Sequence, residues 1–290
     1  MFPAAERTGS IHDLGYRHYD GPRLGRRHAI LSVYLHSLRT VFGLGRRASS
    51  KIVPFALAVI VLIPAVVHLG IAAASAATVD VIRPENYYSF VEIVLALFVA
   101  AVAPELLGRD QRDHTLSLYF SRALRRGDYA LAKLAALTTA MLLLTILPQA
   151  VLLAGNAFAT DSSWDYLRHH AADIPRILAS AATVSAPPAA IALAIASYTP
   201  RRAYATGGAI AFFLVSLSAG GILAVTVGKY GVLVSPLSLM RGSTLWIFDA
   251  IPANREALTR IPGEQLFGVL VAQFLVAAGV LVQRYRRLSA

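Results

Sequence analysis

The sequence predicts an all-α, polytopic membrane protein with six transmembrane helices. Of its 290 residues, 56% are hydrophobic and only 15% are charged, whereas soluble domains carry roughly 25% charged residues. A helix needs roughly 20 apolar residues to cross the hydrocarbon core of a bilayer, and it satisfies its own backbone hydrogen bonds there. Six stretches have that length and are predicted to be the spans: Ile52–Ala74, Tyr88–Leu107, Tyr129–Phe158, Ile174–Ser197, Tyr204–Val227 and Glu264–Gln283.

The distribution of positive charge predicts the orientation in the membrane. The formal net charge is +11, and nine of the 27 Lys and Arg residues lie in residues 1–51, with five more between Arg109 and Arg126. Because positive residues are retained in the cytoplasm, both termini are predicted to be cytosolic, in agreement with an even number of spans. The basic residues are therefore interpreted as a topology signal and as contacts to anionic headgroups of the lipid bilayer. No groove-reading motif supports nucleic acid as a partner.

The composition favours the bacterial cytoplasmic (plasma) membrane as the location. The chain has 24 arginines, 3 lysines and many alanines, a bias associated with high-GC bacterial genomes. It has no cysteine, so disulfides and cysteine metal sites are excluded. The N-terminal residues lack an apolar segment behind their charges, so a cleaved signal peptide is not expected.

Residues 1–51 are predicted to form a cytosolic arm that ends in an amphipathic helix, and residues 52–290 the membrane domain. Within residues 28–47, apolar residues alternate with histidines and arginines, which favours a helix lying in the membrane interface. A helix packed on a partner protein remains the alternative. Residues 228–263 are apolar but too short to span, so they are interpreted as an external region of re-entrant or interfacial helices.

Prolines within the predicted spans indicate bends. Pro64 lies in the first span and Pro148 in the third, and the adjacent Pro187 and Pro188 lie in the fourth. Proline lacks the N–H that continues a helix. The double proline is therefore predicted to break the fourth span near its middle.

Few polar residues occur within the spans, and they are candidates for a pathway through the membrane. Intramembrane polar and ionisable groups are functional candidates by default. The candidates are Glu92, Gln149, Asn156 and Gln273, with His68 as a further ionisable group late in the first span. An ion- or proton-coupled carrier would need several charges at mid-membrane, and this chain offers almost none. The scarcity of charge favours an apolar or amphipathic cargo, such as a drug, lipid or lipopeptide.

Motifs for chemistry are absent from the sequence. There is no G-x-x-x-x-G-K-[ST] to bind the phosphates of ATP, and neither H-E-x-x-H nor G-x-S-x-G occurs. We therefore expect no enzyme activity and no cofactor bound by this chain. Asp165, His169 and Asp173 would share one helix face and could bind a metal, but solvated charge in an external loop is the favoured interpretation, and no metal site is predicted.

The loop of residues 106–128, between the second and third spans, is the most informative segment. It is longer than a turn requires, it is basic, and Leu116, Tyr119, Phe120 and Leu124 recur at three- and four-residue intervals. This periodicity predicts a short amphipathic helix. A helix held beneath the membrane has to pack on something, so the loop predicts a cytosolic partner.

The loop resembles the corresponding loop of ATP-binding cassette exporter permeases of the ABC-2 family. The matching positions are Glu105, Thr115-Leu116, Leu118 with Tyr119, Ser121-Arg122, Arg125-Arg126, and Lys133 at the start of the third span. Six spans, cytosolic termini, an N-terminal interfacial "elbow" helix and apolar external helices before the last span are also similar to that family.

The resemblance implies a transmembrane permease subunit that forms half of a translocation pathway. Separate ATPase subunits, which bind ATP and Mg²⁺, would dock on a coupling helix in the loop, and a second permease, the same chain or another, would complete the pathway. The residues predicted to contact the ATPase are Arg109, Asp110, Arg112, Asp113, His114, Thr115, Leu116, Tyr119, Arg122, Arg125 and Arg126.

Four alternatives remain open at this stage. The basic loop could contact only lipid, and the chain could be an ion- or proton-coupled secondary transporter that works without an ATPase. It could also be a membrane-embedded enzyme, although paired catalytic groups at one depth are not evident. A non-transporting assembly or sensor protein that uses the same ATPase is the fourth.

Overall fold

The computed structural model describes residue 21 and residues 24–45, 48–75, 84–113, 115–121, 124–160, 162–250 and 260–287. In these ranges the regular structure is helical. The helices are α1 (Arg26–Val41), α2 (Ser49–Ser75), α3 (Pro84–Arg112), α4 (Leu116–Phe120), α5 (Arg126–Ala159), α6 (Ser163–His169), α7 (Asp173–Ala196), α8 (Arg202–Thr226), a 3₁₀ helix (Lys229–Val234), α9 (Pro236–Ile247) and α10 (Gly263–Arg287).

Six helices are long and apolar enough to cross a membrane, which confirms the predicted all-α architecture with six candidate spans. They are α2, α3, α5, α7, α8 and α10. Their ends lie within a few residues of the predicted ones, with α3 extending farthest beyond its prediction. It continues to Arg112, five residues past Leu107.

The bundle has α3, α5 and α7 at its centre. In an 18-residue apolar stretch of each helix, 78% of the stretch is buried in α7, against 22% in α2, 22% in α8 and 17% in α10. Alanine, serine and proline make up most of α7, and such small side chains let neighbouring helices approach closely. The exposed apolar faces of α2, α8 and α10 are those that lipid or another membrane chain would cover.

The predicted break at Pro187 and Pro188 is absent, because α7 continues unbroken from Asp173 to Ala196. Both proline rings are buried among neighbouring helices. In a membrane bundle, proline is tolerated inside a helix when the surrounding helices hold the backbone, and α7 is surrounded on most sides. Pro64, Pro104 and Pro148 likewise lie inside continuous helices.

The predicted shared face of Asp165, His169 and Asp173 is also absent. Helix α6 ends at His169 and α7 begins at Asp173, so a turn separates the third residue from the first two. The Nδ1 atom of His169 lies 2.7 Å from the carbonyl oxygen of Asp165, and Asp173 pairs with Arg176 at 3.6 Å. Within the described ranges, no group of three or more His, Asp or Glu side chains is arranged to hold a metal ion.

Residues 228–250, part of the region that the sequence predicted to be external, pack into the bundle rather than lying wholly at its surface. Ser235 caps α9 by accepting a hydrogen bond from the backbone N–H of Ser238 at 3.3 Å, and Pro236 occupies the first turn, where a missing N–H is harmless. Leu237, Leu239 and Met240 are buried within the bundle. Residues 251–259 lie outside the described ranges.

Helix α1 follows the first half of α5. The guanidinium group of Arg26 binds Asp128, and the hydroxyl group of Tyr34 donates to Thr139 Oγ1 at 3.1 Å. The two α5 contacts are 11 residues apart, or about 16 Å along the helix axis. One face of α1, including Val33 and Ser37, is buried, while its arginines and two of its leucines are exposed.

Candidate functional site

The loop between α3 and α5 lies at the same end of the bundle as the start of α1 and the end of α10. Arg26 at the start of α1 makes two 2.7 Å hydrogen bonds to the carboxylate of Asp128 in the first turn of α5. Arg126 donates to the backbone carbonyl of Arg286 in the last turn of α10 at 3.4 Å. We call this end of the bundle the loop end.

Helix α4 has an inner and an outer face. Leu116, Tyr119 and Phe120 are partly buried and pack against the core of the bundle, whereas Ser117 and Leu118 are turned outward, with 67% of Leu118 exposed. The apolar periodicity that predicted the helix therefore marks the face that the chain itself covers. Leu116 and Tyr119, predicted as ATPase contacts, lie on this inner face, and the outward Leu118 was not among the predicted contacts.

Thr115 joins α4 to the end of α3. Its backbone N–H and its hydroxyl group both donate to the carbonyl oxygen of Asp110, at 3.1 and 3.3 Å. The last carbonyls of a helix have no partner within the helix, so this arrangement satisfies one of them. Thr115 thus sets the angle at which α4 leaves α3.

A buried ion pair lies beneath α4. Lys133 Nζ is 2.8 Å from Asp110 Oδ2 and donates to the carbonyl oxygen of Leu106 at 2.9 Å, while the hydroxyl group of Tyr129 donates to Asp110 Oδ2 at 2.5 Å. The side chain of Lys133 is 3% exposed and that of Asp110 is 16% exposed. The sequence predicted Asp110 as an ATPase contact, but the structure turns its carboxylate into the bundle. Charges are buried this deeply only when they are paired.

Aromatic rings link α4 to this ion pair. The ring of Tyr129 contacts those of Tyr119, Phe120 and Tyr285, with centroid distances of 5.6, 5.9 and 5.2 Å. Burial, together with the negative charge of Asp110, raises the pKa of the Tyr119 hydroxyl above its ordinary value. One cluster of side chains therefore connects α4, α5 and α10.

The connection between α7 and α8 closes the other side of the loop end. Gln111 donates to the carbonyl oxygen of Ser197 at 3.3 Å and to the hydroxyl group of Tyr285 at 3.0 Å. Arg202 pairs with Glu105 at 2.7 Å. A side chain at Gly108 would meet the carbonyl oxygen of Pro200 at 3.2 Å, so α3 and the α7–α8 connection are in close contact. The end of α3 is therefore held by α5, α8 and α10 together.

The remaining predicted contact residues divide into two groups. Arg109 and Arg112 are exposed on the last turn of α3, and the exposed Asp113 directly after it pairs with Arg109 at 3.4 Å. Arg125 is exposed at the start of α5, and the guanidinium group of Arg126 lies 5.7 Å from the centre of the Phe120 ring. His114 and Arg122 lie outside the described residues.

The candidate pathway residues bind separate elements of the fold. Gln149 donates to the carbonyl oxygen of Pro84 at 2.9 Å, Asn156 lies 3.4 Å from His68 Nε2, and Gln273 donates to the carbonyl oxygen of Leu233 at 3.1 Å. Glu92 is partly buried on α3. These contacts join pairs of helices, and the structure does not bring the side chains together around one space.

No protein-family model matches this chain, and no curated protein matches it. The resemblance to exporter permeases therefore depends on the loop residues and on the number and order of the spans.

Proposed function

We propose that this chain is the transmembrane permease subunit of an ATP-binding cassette exporter of the ABC-2 type. The chain forms half of a translocation pathway. Separate ATPase subunits dock on its loop end and drive transport through that pathway. The observation that carries the proposal is the short helix α4, which is bonded to the end of α3, packs on Tyr129 of α5 and leaves an exposed edge. The loop end is then cytosolic, as the distribution of positive charge predicts.

The exposed edge has the composition of a docking surface. Leu118 supplies an apolar anchor, and the exposed Arg109, Arg112 and Asp113 lie on the preceding helix end. Protein interfaces combine a few apolar or arginine anchors with a polar rim. We define these four residues as the docking edge.

The side chains beneath the docking edge provide a route for mechanical coupling. Thr115 fixes α4 to α3, and Tyr119 contacts Tyr129 of α5. Tyr129 in turn binds Asp110 of α3 and contacts Tyr285 of α10. A displacement of α4 by an ATPase would therefore move the ends of three spans together, which is the contiguous packing that coupling between distant sites requires.

The remaining parts of the complex follow from the same proposal. ATP and Mg²⁺ bind to the partner ATPases and not to this chain. The exposed apolar faces of α2 and α8 are available to a second permease, the same chain or another, because six spans are too few to enclose both halves of a pathway. Helix α1 runs along the first half of α5, so in the complex it would support that span rather than lie flat at the membrane surface as an elbow helix.

Co-purification tests the docking edge. The tagged chain is isolated from its host in mild detergent, and the associated proteins are identified. We expect a stoichiometric soluble protein that carries a G-x-x-x-x-G-K-[ST] motif and hydrolyses ATP. Leu118→Asp should weaken its binding about thirtyfold, the effect of losing an interface anchor worth about 2 kcal/mol.

The matched control is Val227→Asp, which introduces the same charge at an exposed apolar residue. Val227 directly follows the end of α8 that is farther from the loop end. This variant should retain the ATPase. Equal binding by wild type and Leu118→Asp would place the docking surface elsewhere. A chain that purifies alone and transports cargo in liposomes without ATP would contradict the proposal.

The alternative is an ion- or proton-coupled secondary transporter that works without an ATPase. The observation that favours it is the buried His68, which is 2% exposed within α2 and lies 3.4 Å from Asn156 of α5. An ionisable group at this position is a candidate for proton binding. Transport in ATP-free liposomes that is lost on His68→Gln would support this alternative.

A further inference from the structure

A basic groove opens at the loop end between the start of α1, helix α4, the start of α5 and the end of α10. Its volume is about 710 Å³, within the 300–1,000 Å³ typical of small-molecule sites. Four arginines line it: Arg26, Arg125, Arg126 and Arg286. The acidic lining residue is Asp128, whose two carboxylate oxygens both accept from Arg26. Four positive charges and one negative charge leave a formal charge of +3 on the lining.

The floor of the groove is apolar. Leu124 is buried there, Val282 is partly buried on α10, and Leu131 lies on α5 with about half of its surface exposed. Leu131 follows the basic first turn of α5 by about one turn, on the apolar span. The groove therefore runs from a polar rim at the ends of the spans to a surface that faces the hydrocarbon region.

Gly127 keeps the groove open. A Cβ atom at this position would lie 3.8 Å from both Arg286 Nε and Val282 Cγ1. This is an ordinary contact distance, so alanine would fit, but a longer side chain would project between α5 and α10 and occupy the space.

We propose that the basic groove binds one anionic phospholipid, with its phosphate among Arg125, Arg126 and Arg286 and its first acyl carbons over Leu131 and Val282. Guanidinium groups bind phosphate oxygens with two parallel hydrogen bonds, and basic pockets between transmembrane helices bind anionic headgroups. A soluble anion would need the arginines but not the apolar floor. The combination of both at the membrane surface selects a lipid.

The lipid site does not depend on the proposed function, because lipid binding is independent of what drives transport. It assigns Arg125 and Arg126 to lipid, whereas the sequence predicted them as ATPase contacts. The docking edge of Arg109, Arg112, Asp113 and Leu118 does not line the groove. Because Arg126 lies against the ring of Phe120, a bound lipid would also support the inner face of α4.

Lipid binding by the purified full-length chain tests the proposal. The chain in uncharged detergent is titrated with dioleoylphosphatidylglycerol and, separately, with dioleoylphosphatidylcholine, and bound lipid is counted by native mass spectrometry. Phosphatidylglycerol should bind more tightly, since the acyl chains are identical and only the headgroup charge differs. Arg125→Gln with Arg286→Gln should weaken phosphatidylglycerol binding about 25-fold, or about fivefold for each arginine near an anionic headgroup.

Two matched controls separate the groove from general charge and from misfolding. Arg39→Gln with Arg201→Gln removes the same charge from exposed arginines outside the groove and should leave binding unchanged. Gly127→Leu keeps all four arginines and should weaken binding by filling the groove. Gly221→Leu, at a glycine with open space around it, should not. Size-exclusion elution and thermal unfolding establish that each variant is folded.

Four results would overturn the proposal. Unchanged phosphatidylglycerol binding by the Arg125 and Arg286 variant would remove the headgroup from the groove, and equal weakening by the Arg39 and Arg201 variant would reduce the effect to net charge. Competition by glycerol 3-phosphate at the concentrations at which the lipid binds would make this a site for a soluble phosphate. If the Arg125 and Arg286 variant lost the co-purifying ATPase while its lipid binding was unchanged, the groove would be assigned to a protein partner.

Discussion

Removal of the buried positive charge of Lys133 is expected to destabilise the protein by about 3–5 kcal/mol. The substitution Lys133→Met keeps the length and apolar character of the side chain. It leaves the carboxylate of Asp110 without the cation that lies 2.8 Å away, and it removes the donor to the carbonyl oxygen of Leu106. Among the hydrogen bonds seen in the described part of the chain, the one from the hydroxyl group of Tyr129 would remain on the carboxylate.

The magnitude follows from the separation and burial of the two charges. At 2.8 Å the Coulomb energy is about 6 kcal/mol for an effective dielectric constant of about 20, and about 1.5 kcal/mol for water. Asp110 is 16% exposed, so some screening by water remains, and the desolvation of both ions offsets part of the attraction. The loss on breaking the pair therefore exceeds that for a surface ion pair, about 0–1 kcal/mol.

A double-mutant cycle measures the interaction. Unfolding of wild type, Lys133→Met, Asp110→Asn and the double variant is followed by titration of detergent-solubilised protein with dodecyl sulfate. We expect a coupling energy of about 2–3 kcal/mol, since groups in direct contact couple by up to about this amount, and the double variant should be more stable than Lys133→Met. Effects that add without coupling would refute the reasoning.

The control for this cycle is Lys229→Met. Lys229 also donates to a backbone carbonyl, that of Arg260 at 3.1 Å, but it is partly exposed. Its loss should therefore cost only about 1 kcal/mol. An equal effect of the two lysine substitutions would mean that loss of the carbonyl contact, rather than of the buried charge pair, determines the result at Lys133.

Three further predictions concern a turn, a hydroxyl group and a polar pair. Gly43 has φ +64°, and a Cβ atom there would lie 2.8 Å from a backbone carbonyl oxygen of α2, whereas Gly45 has φ +80° and open space around it. Gly43→Ala should therefore lower the thermal unfolding midpoint of the protein by more than Gly45→Ala does, and equal losses would contradict this. Because burial raises the pKa of Tyr119 above its ordinary 10.0, its contribution to stability is present below pH 10 and is lost as pH rises toward the folded-state value. Tyr119→Phe should therefore lose less stability than wild type between about pH 9 and 11, and identical profiles would disprove the assignment. Asn156→Leu should cost about 1 kcal/mol by removing one of the contacts of the buried His68, whereas an unchanged unfolding midpoint would show that the contact is not stabilising.

The spans were predictable because their signal is local. A run of about 20 apolar residues has few alternatives to crossing a membrane, and α2, α5 and α10 lie where the runs lie. The extension of α3 to Arg112 was missed because its last turns contain polar residues. Their helical state depends on contacts with Lys133 and with the α7–α8 connection, which are distant in sequence.

In the loop between α3 and α5, too, the local sequence pattern does not predict contacts between residues that are distant in sequence. Apolar spacing predicted α4 and identified Leu116 and Tyr119 as one face, but spacing does not reveal what covers that face. The pairing of Asp110 with Lys133 spans 23 residues and is set by the tertiary fold. One sequence signal could have found it: a single lysine inside the apolar run of the third span requires a buried partner, and the acid at the end of the second span is close when adjacent helices are antiparallel.

The position of the docking edge depends on the spans beneath it, because α4 cannot hold its own place. A helix of five residues is far too short to be stable alone, so its orientation is set by Thr115 on the carbonyl of α3 and by the rings of Tyr119 and Phe120 on Tyr129. Tyr129 binds Asp110 and thus joins α5 to α3 at the same point. A change in the relative positions of α3, α5 and α10 would therefore move Leu118, and a force on Leu118 would act on all three helices. In the proposed complex, the contacts that hold the loop in place would make it a two-way mechanical link, which a long flexible loop with the same exposed residues would not provide.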